Sequence, residues 1–259
     1  MTREPLAREV VAGGKRLETV RYDGDPAHAA IVLLHEGLGS VSLWRDWPRR
    51  LAERTGRIVV AYSRYGYGRS EVLREKREPY YMHHEGEVVL PALLAELGLE
   101  RPVLFGHSDG ASIALIFAGA FPGAARALVL EAPHVFVEDL SVRSIAAAKT
   151  AFATSDLPQK LARHHADAAA TFAGWNDVWL DARFRDWNIE AYAERVRVPV
   201  LLVQGDADEY GTAAQLDSIR ARVAGAETMI VPGAGHSPHR DVPELVLDRV
   251  AGFLARAAP

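Results

Sequence analysis

The chain contains no cysteine among its 259 residues. That absence excludes disulfide bonds, thiol nucleophiles and cysteine-ligated metal. A surplus of positive charge is also missing: 30 lysines and arginines face 34 aspartates and glutamates, for a formal net charge of −4. Nucleic-acid binding therefore has no electrostatic support. The arginines at Arg49-Arg50 and from Arg74 to Arg77 are interspersed with glutamate and read as solvated faces. Apolar runs never approach membrane-spanning length, and Met1-Thr2-Arg3-Glu4-Pro5 lacks the apolar segment of a signal peptide. A soluble, cytoplasmic protein with neither a membrane nor a nucleic-acid partner is expected.

What is present is ordinary for a globular domain: 49% hydrophobic and 25% charged residues, in a length that suits one α/β domain with a sizeable core. Two runs flanking Gly13-Gly14, near Arg8–Val11 and Arg16–Tyr22, predict an antiparallel hairpin. Short continuous apolar runs follow at Ala30–Leu34, Arg57–Ala61, Pro102–Phe105, Ala127–Leu130, Val200–Val203 and Thr228–Val231, the pattern of strands buried on both faces of a parallel sheet. Helical patterns separate most of them: Leu43–Arg54, Tyr81–Leu97, Ser108–Ala120 and Thr212–Val223, with Pro243–Ala255 closing the chain. Such alternation predicts an α/β fold, a mostly parallel twisted sheet with helices on both faces. More than sixty residues separate Ala132 from Pro199. Helical patterns at Val137–Thr154, Leu157–His165 and Asp167–Arg185 make an inserted lid the better reading of so long a connection. The expected division is a core of residues 1–134 and 198–259 with a helical cap at 135–197.

Gly106-His107-Ser108-Asp109-Gly110 sits between a predicted strand and a predicted helix, the context of a G-x-S-x-G nucleophile elbow. The glycines allow a strained turn and close passage of neighbouring backbone. The serine lies at a helix N-terminus, whose free N–H groups favour negative charge. A serine nucleophile needs a base, and the base an orienting acid, in the chain order serine, acid, histidine. Leu201–Val203 leads into Gly205-Asp206-Ala207-Asp208, and Met229–Val231 leads into Gly233-Ala234-Gly235-His236. Ser108, Asp208 and His236 satisfy that order, with Asp206 and Glu209 as alternative acids, otherwise a turn residue and a solvated loop charge.

With Leu34-His35-Glu36-Gly37, Tyr65-Gly66-Tyr67-Gly68-Arg69-Ser70, the elbow and the two loops just quoted, the chain resembles the α/β-hydrolase fold superfamily, as a serine esterase-like member, over essentially its whole length. The resemblance implies Ser108 as nucleophile, His236 as base and Asp208 as acid. It also implies an oxyanion hole from the backbone N–H of Asp109 and one from the early loop. That loop departs from the common His-Gly-X pattern: Glu36 stands where glycine is usual, so Gly37, or Leu38 with an offset of one, donates.

Glu36 and Asp109 bring two carboxylates to a site that must stabilise an anion. Tucked under the loops and bound to backbone N–H groups they would fix loop geometry; Glu36 could alternatively bind a cationic or hydroxylated substrate group. His134, after a strand end, is a pocket candidate and equally a packed loop histidine. In the lid, Phe172, Trp175, Trp179, Phe184 and Trp187 lie on a helical stretch, with Trp175 and Trp179 on one face at i, i+4. They pack the lid, and some should line the cleft. His83-His84-Glu85 and His164-His165 are adjacent residues pointing apart, so no metal site is expected. His107 reads as structural and His239 as a loop residue.

These readings lead to a hydrolase of small to medium carboxylic esters, acting through an acyl-enzyme without cofactor on a small-molecule substrate. Lactonase, thioesterase, amidase and carbon–carbon bond hydrolase share the triad. A serine rather than an aspartate at the elbow argues against haloalkane dehalogenase and epoxide hydrolase chemistry. A ligand sensor or a silent interaction protein on the same fold is the reading from a different class.

Overall fold

Each short apolar run becomes a strand, and their alternation divides the core. In the computed structural model, which describes residues 4–259, eight strands form one sheet. They are β1 (Leu6–Ala12), β2 (Lys15–Tyr22), β3 (Ile31–Leu34), β4 (Val59–Tyr62), β5 (Val103–His107), β6 (Ala127–Glu131), β7 (Val200–Gly205) and β8 (Glu227–Val231). The spatial order is β1-β2-β4-β3-β5-β6-β7-β8. β1 and β2 form the expected hairpin, Ala12 opposite Lys15, and β2 meets β4 antiparallel. From β4 through β8 every pairing is parallel.

Because successive side chains point to opposite faces, Val32 and Leu34 of β3 join Leu104 of β5 in one buried cluster. Ile31 and Leu33 join Val103 and Phe105 in the other. The second cluster is closed by α1 (Trp47–Thr55) and by α11 (Pro243–Ala257), through Trp47, Leu51, Val246 and Phe253. The first is closed by α2 (Tyr81–His84), α3 (Leu90–Glu96), α4 (Asp109–Ala120) and α9 (Ala213–Arg222), through Met82, Leu93, Ile113 and Leu216. The single helix expected over Tyr81–Leu97 is interrupted by a π-helical turn at Glu85–Val89, and Glu85 within it is buried.

Between β6 and β7 run α5 (Asp139–Thr154), α6 (Leu157–Ala162), α7 (Ala168–Trp179), a 3₁₀ turn at Ala182–Asp186 and α8 (Glu190–Ala193). Asp167 caps α7 by accepting from the Ala170 N–H at 2.9 Å. The helix expected to reach Arg185 stops at Trp179, because Asp181 caps a new turn by accepting the Arg183 N–H at 2.8 Å. Phe184 therefore lies in that turn and Trp187 beyond it, not on one helix with Trp175. α10 (Pro238–Asp241) is a single turn after the His236 loop.

Candidate active site

Strands of an open parallel sheet gather functional groups at their carboxyl ends, and four of the predicted segments meet there. Ser108 falls between β5 and α4 with φ 54° and ψ −119°, a backbone conformation disfavoured for any residue with a Cβ. Its N–H donates to the Glu131 carbonyl at 2.8 Å, and its carbonyl accepts from the N–H groups of Ala111 and Ser112 at 2.9 and 3.1 Å. The crossing is tight. A Cβ on Gly106 would lie 2.4 Å from the Gly110 carbonyl oxygen, and one on Gly110 would lie 2.0 Å from that of Leu34.

Ser108 and His236 line one cavity of about 170 Å³. The His236 Nδ1–H donates to Asp208 Oδ1 at 2.8 Å, which leaves Nε2 with its lone pair. Asp208 is held by more than the histidine: Oδ1 accepts from the Tyr210 and Gly211 N–H groups at 2.8 and 3.3 Å, and Oδ2 from Gln204 Nε2 at 3.2 Å. Burial alone would push this carboxyl up; the bonds from His236 and Tyr210 outweigh it and hold it below the usual carboxylate range. The alternative acids do other things. Asp206 accepts from the Gly233 N–H at 2.7 Å in a turn. Glu209, expected as a solvated charge, lines the cavity and accepts the His236 N–H at 3.2 Å.

Gly37, Leu38 and Asp109 also line the cavity. Among the described residues, none of their backbone N–H groups donates to a backbone carbonyl. Two neighbours shape the Gly37 loop. His35 donates from Nδ1 to the Glu36 carbonyl at 2.7 Å and accepts the Arg64 N–H on Nε2 at 3.0 Å. The fully buried Arg64 guanidinium donates to the Glu36 carbonyl at 2.9 Å.

The two carboxylates beside the site are engaged by side chains, not by the backbone N–H groups expected. Glu36 Oε1 accepts from Arg240 Nη2 at 2.8 Å, and Oε2 lies 3.5 Å from His107 Nδ1. Burial works against both charges here, but the pairing wins: Glu36 is held well below its ordinary value and His107 is raised. Asp109 Oδ2 accepts from the Tyr81 hydroxyl at 2.6 Å and lies 3.6 Å from Arg64. Each negative charge is thus matched by a cation, and neither faces the reaction centre alone. Sequence reasoning missed Arg64, Tyr81 and Arg240. An arginine two residues past the apolar β4 was a visible signal for the first; Arg240, 204 positions from Glu36, had none.

His134, Trp175 and Trp179 all line the cavity. Burial pushes His134 down to about 4, so it is neutral at physiological pH. Trp179 donates from Nε1 to the Tyr81 hydroxyl at 3.1 Å, tying α7 through Tyr81 to Asp109. His239 is not a surface loop residue: it is buried on α10, with Nδ1 2.6 Å from Glu131 Oε1. His107, Glu131 and His239 have ligand atoms within 4.8 Å of one another and could hold a metal ion. In the structure Glu131 is bonded to His239, and His107 Nε2 donates to the His236 carbonyl at 2.8 Å, which braces the His236 loop.

A strained serine at a strand-to-helix turn, an Asp–His pair from the last two strand loops and an open parallel sheet define an α/β hydrolase. A family model for the alpha/beta hydrolase fold matches residues 29–217, and the chain belongs to that family. It is similar to the sn-1-specific diacylglycerol lipase ABHD11 of Mus musculus, with 28% identity over 261 residues, 90% of this chain and 83% of that one. Among solved structures it is similar to the enol-lactonase from Burkholderia xenovorans LB400, with a TM-score of 0.75, 20% identity and coverage of 96% and 100%. Carboxylesterase CesB from Bacillus subtilis gives a TM-score of 0.72, 22% identity and coverage of 97% and 92%. These two likenesses speak for the fold alone. No helix among the described residues is long and apolar enough to cross a membrane.

Proposed function

We propose that the protein hydrolyses small to medium carboxylic esters through Ser108, His236 and Asp208. The observation that carries this reading is the Asp208–His236 bond of 2.8 Å in the cavity that Ser108 also lines. Asp208 fixes the imidazole with Nδ1 protonated, so Nε2 is free to take a proton. Ser108 Oγ attacks the ester carbonyl carbon as its proton passes to His236. The carbonyl oxygen becomes an oxyanion held by the N–H groups of Asp109 and Gly37. The C–O bond to the alcohol breaks, and the alcohol leaves with the proton from His236. Water then attacks the acyl-Ser108 carbonyl, His236 takes its proton, and the acid is released as Ser108 regains a hydrogen.

Two features support esters and a modest size. The mouse relative carries the name of a lipase. A cavity of about 170 Å³ is smaller than the sites that enclose drug-sized ligands, roughly 300–1,000 Å³. Short p-nitrophenyl esters should therefore turn over faster than long ones. A fluorophosphonate should label the wild-type protein and not Ser108→Ala, whose kcat should drop on the order of 10⁴-fold or more. Near-wild-type turnover by Ser108→Ala would refute the mechanism. A ligand-induced melting shift without turnover of any ester, thioester or lactone would favour the sensor reading.

A further inference from the structure

We propose that Ser141 and Ser144 of the lid helix α5 are positioning residues for Asp208, acting through the two backbone amides that hold its carboxylate; this rests on the reading of Ser108, His236 and Asp208 given above. The peptide plane between Glu209 and Tyr210 presents its N–H to Asp208 Oδ1 at 2.8 Å, and its carbonyl accepts from Ser144 Oγ at 2.5 Å. The next plane, between Tyr210 and Gly211, presents its N–H to the same oxygen at 3.3 Å, and its carbonyl accepts from Ser141 Oγ at 2.5 Å. Both peptides are trans, so N–H and C=O point in opposite directions. Each serine therefore grips the far edge of a plane whose near edge holds the acid.

The serines stand at i and i+3 on α5, so they share a helix face and meet two consecutive planes together. The plane that follows, between Gly211 and Thr212, is also held at both edges. Gln204 Nε2 donates to its carbonyl at 2.7 Å, and Glu138, the residue before α5, accepts its N–H at 2.9 Å. Glu138 accepts in addition from Thr212 Oγ1 at 2.6 Å and from Gln215 Nε2 at 2.7 Å. Every plane from Glu209 to Thr212 thus has one edge held by the 138–144 stretch, which is where the lid begins.

Without its serine, each of the first two planes is held at the Asp208 edge alone. Rotation would turn the N–H away and bring a carbonyl oxygen, with its partial negative charge, toward the carboxylate. Asp208 would lose donors that keep it ionised and aligned with His236 Nδ1. The hydroxyl bond to the carbonyl also polarises the peptide and strengthens its N–H as a donor. The Tyr210 ring lies 4.7 Å from that of His236, so the same two planes set the wall beside the base. The lid is in this way part of the machinery that orients the acid as well as a wall of the cavity.

Ser144 is half-buried and does not line the catalytic cavity, so the first test is Ser144→Ala. It should lower kcat/KM for a short p-nitrophenyl ester on the order of 10-fold, as small misplacements of a catalytic group do. Ser144→Thr keeps the hydroxyl and should stay within about threefold of wild type. A double-mutant cycle separates positioning from structure: in the Asp208→Asn background, where the charge being positioned is gone, Ser144→Ala should cost less than about twofold. Ser144→Ala within about twofold of wild type overturns the proposal. So does a threonine variant as slow as the alanine one, and so does a loss that persists undiminished in Asp208→Asn. Should Ser144→Ala melt far below wild type, the same cycle on Ser141→Ala decides, with the same outcomes. If the wild-type protein turns over no ester and no fluorophosphonate labels Ser108, the acyl-enzyme reading fails first and takes this one with it.

Discussion

Asp206 and Asp208 stand two residues apart on one loop, and only their partners distinguish them. Asp208 meets the His236 imidazole and three further donors, whereas Asp206 caps the turn at Gly233. Asp208→Asn keeps the shape but loses the charge and favours the wrong histidine tautomer, so kcat should fall on the order of 10³- to 10⁴-fold. Asp206→Asn should stay within about threefold, since an exposed turn bond contributes little to catalysis. Steady-state kinetics on the two variants checks this, and the reverse ranking would move the acid to Asp206. At this scale the three candidate residues can be picked out in the sequence, because each follows a strand end in a set order. The sequence also favours Asp208 over Asp206 and Glu209; what it does not contain is the contact itself, with a ring 28 positions away.

At the scale of elements, the elbow works because α4 crosses close over the ends of β5 and β3. A Cβ on Gly110 would collide with the Leu34 carbonyl at 2.0 Å, and rigid backbone cannot give way as a side chain end would. Gly110→Ala should therefore destabilise the fold by more than about 3 kcal/mol and abolish activity. Gly252 in α11 is the contrast: its nearest neighbour to an added Cβ is the flexible end of Arg256 at 3.7 Å. Gly252→Ala should stabilise by about 0.5–1 kcal/mol through lower unfolded-chain entropy and better helix propensity. Urea melts of both variants check the pair, and equal effects would show that the elbow glycine is not sterically required. Helix and strand positions were readable from periodicity and caps. The π turn at Glu85–Val89 and the early end of α7 were not, since both arise where local bonding breaks an otherwise continuous apolar pattern.

The molecule buries several histidines, His35, His107, His134 and His239 among them. His35, His134 and His239 are held below the usual histidine value, burial being the main cause in each, with His134 at about 4. Unfolding returns these rings to water, where they take up protons at about pH 6.5. Between that pH and their folded values the unfolded chain binds more protons, so stability is lost as pH falls from about 6.5 toward 4. His107, raised by Glu36, works the other way: its contribution is present below about pH 6.5 and lost as pH rises through its folded value. His83, His164 and His165 are lowered as well, so lowered histidines outnumber the one raised, and the melting temperature should decline across about pH 6.5 to 4. His134→Leu should shallow that decline, and a flat profile for the wild type would contradict the burial of neutral histidines.

By itself, the sequence determined the class of molecule. Short apolar runs alternating with helical patterns specify a parallel sheet, because a strand covered on both faces must be apolar throughout. The elbow glycines and the order serine, aspartate, histidine mark a candidate nucleophile and its candidate base, because those demands are local to each strand end. Only the tertiary structure decided how the charges of Glu36 and Asp109 are matched beside the cavity that Ser108 lines. Arg240 and Tyr81 come from distant segments, Arg64 from the end of β4, and charge neutralisation at a few ångströms has no periodicity to betray it.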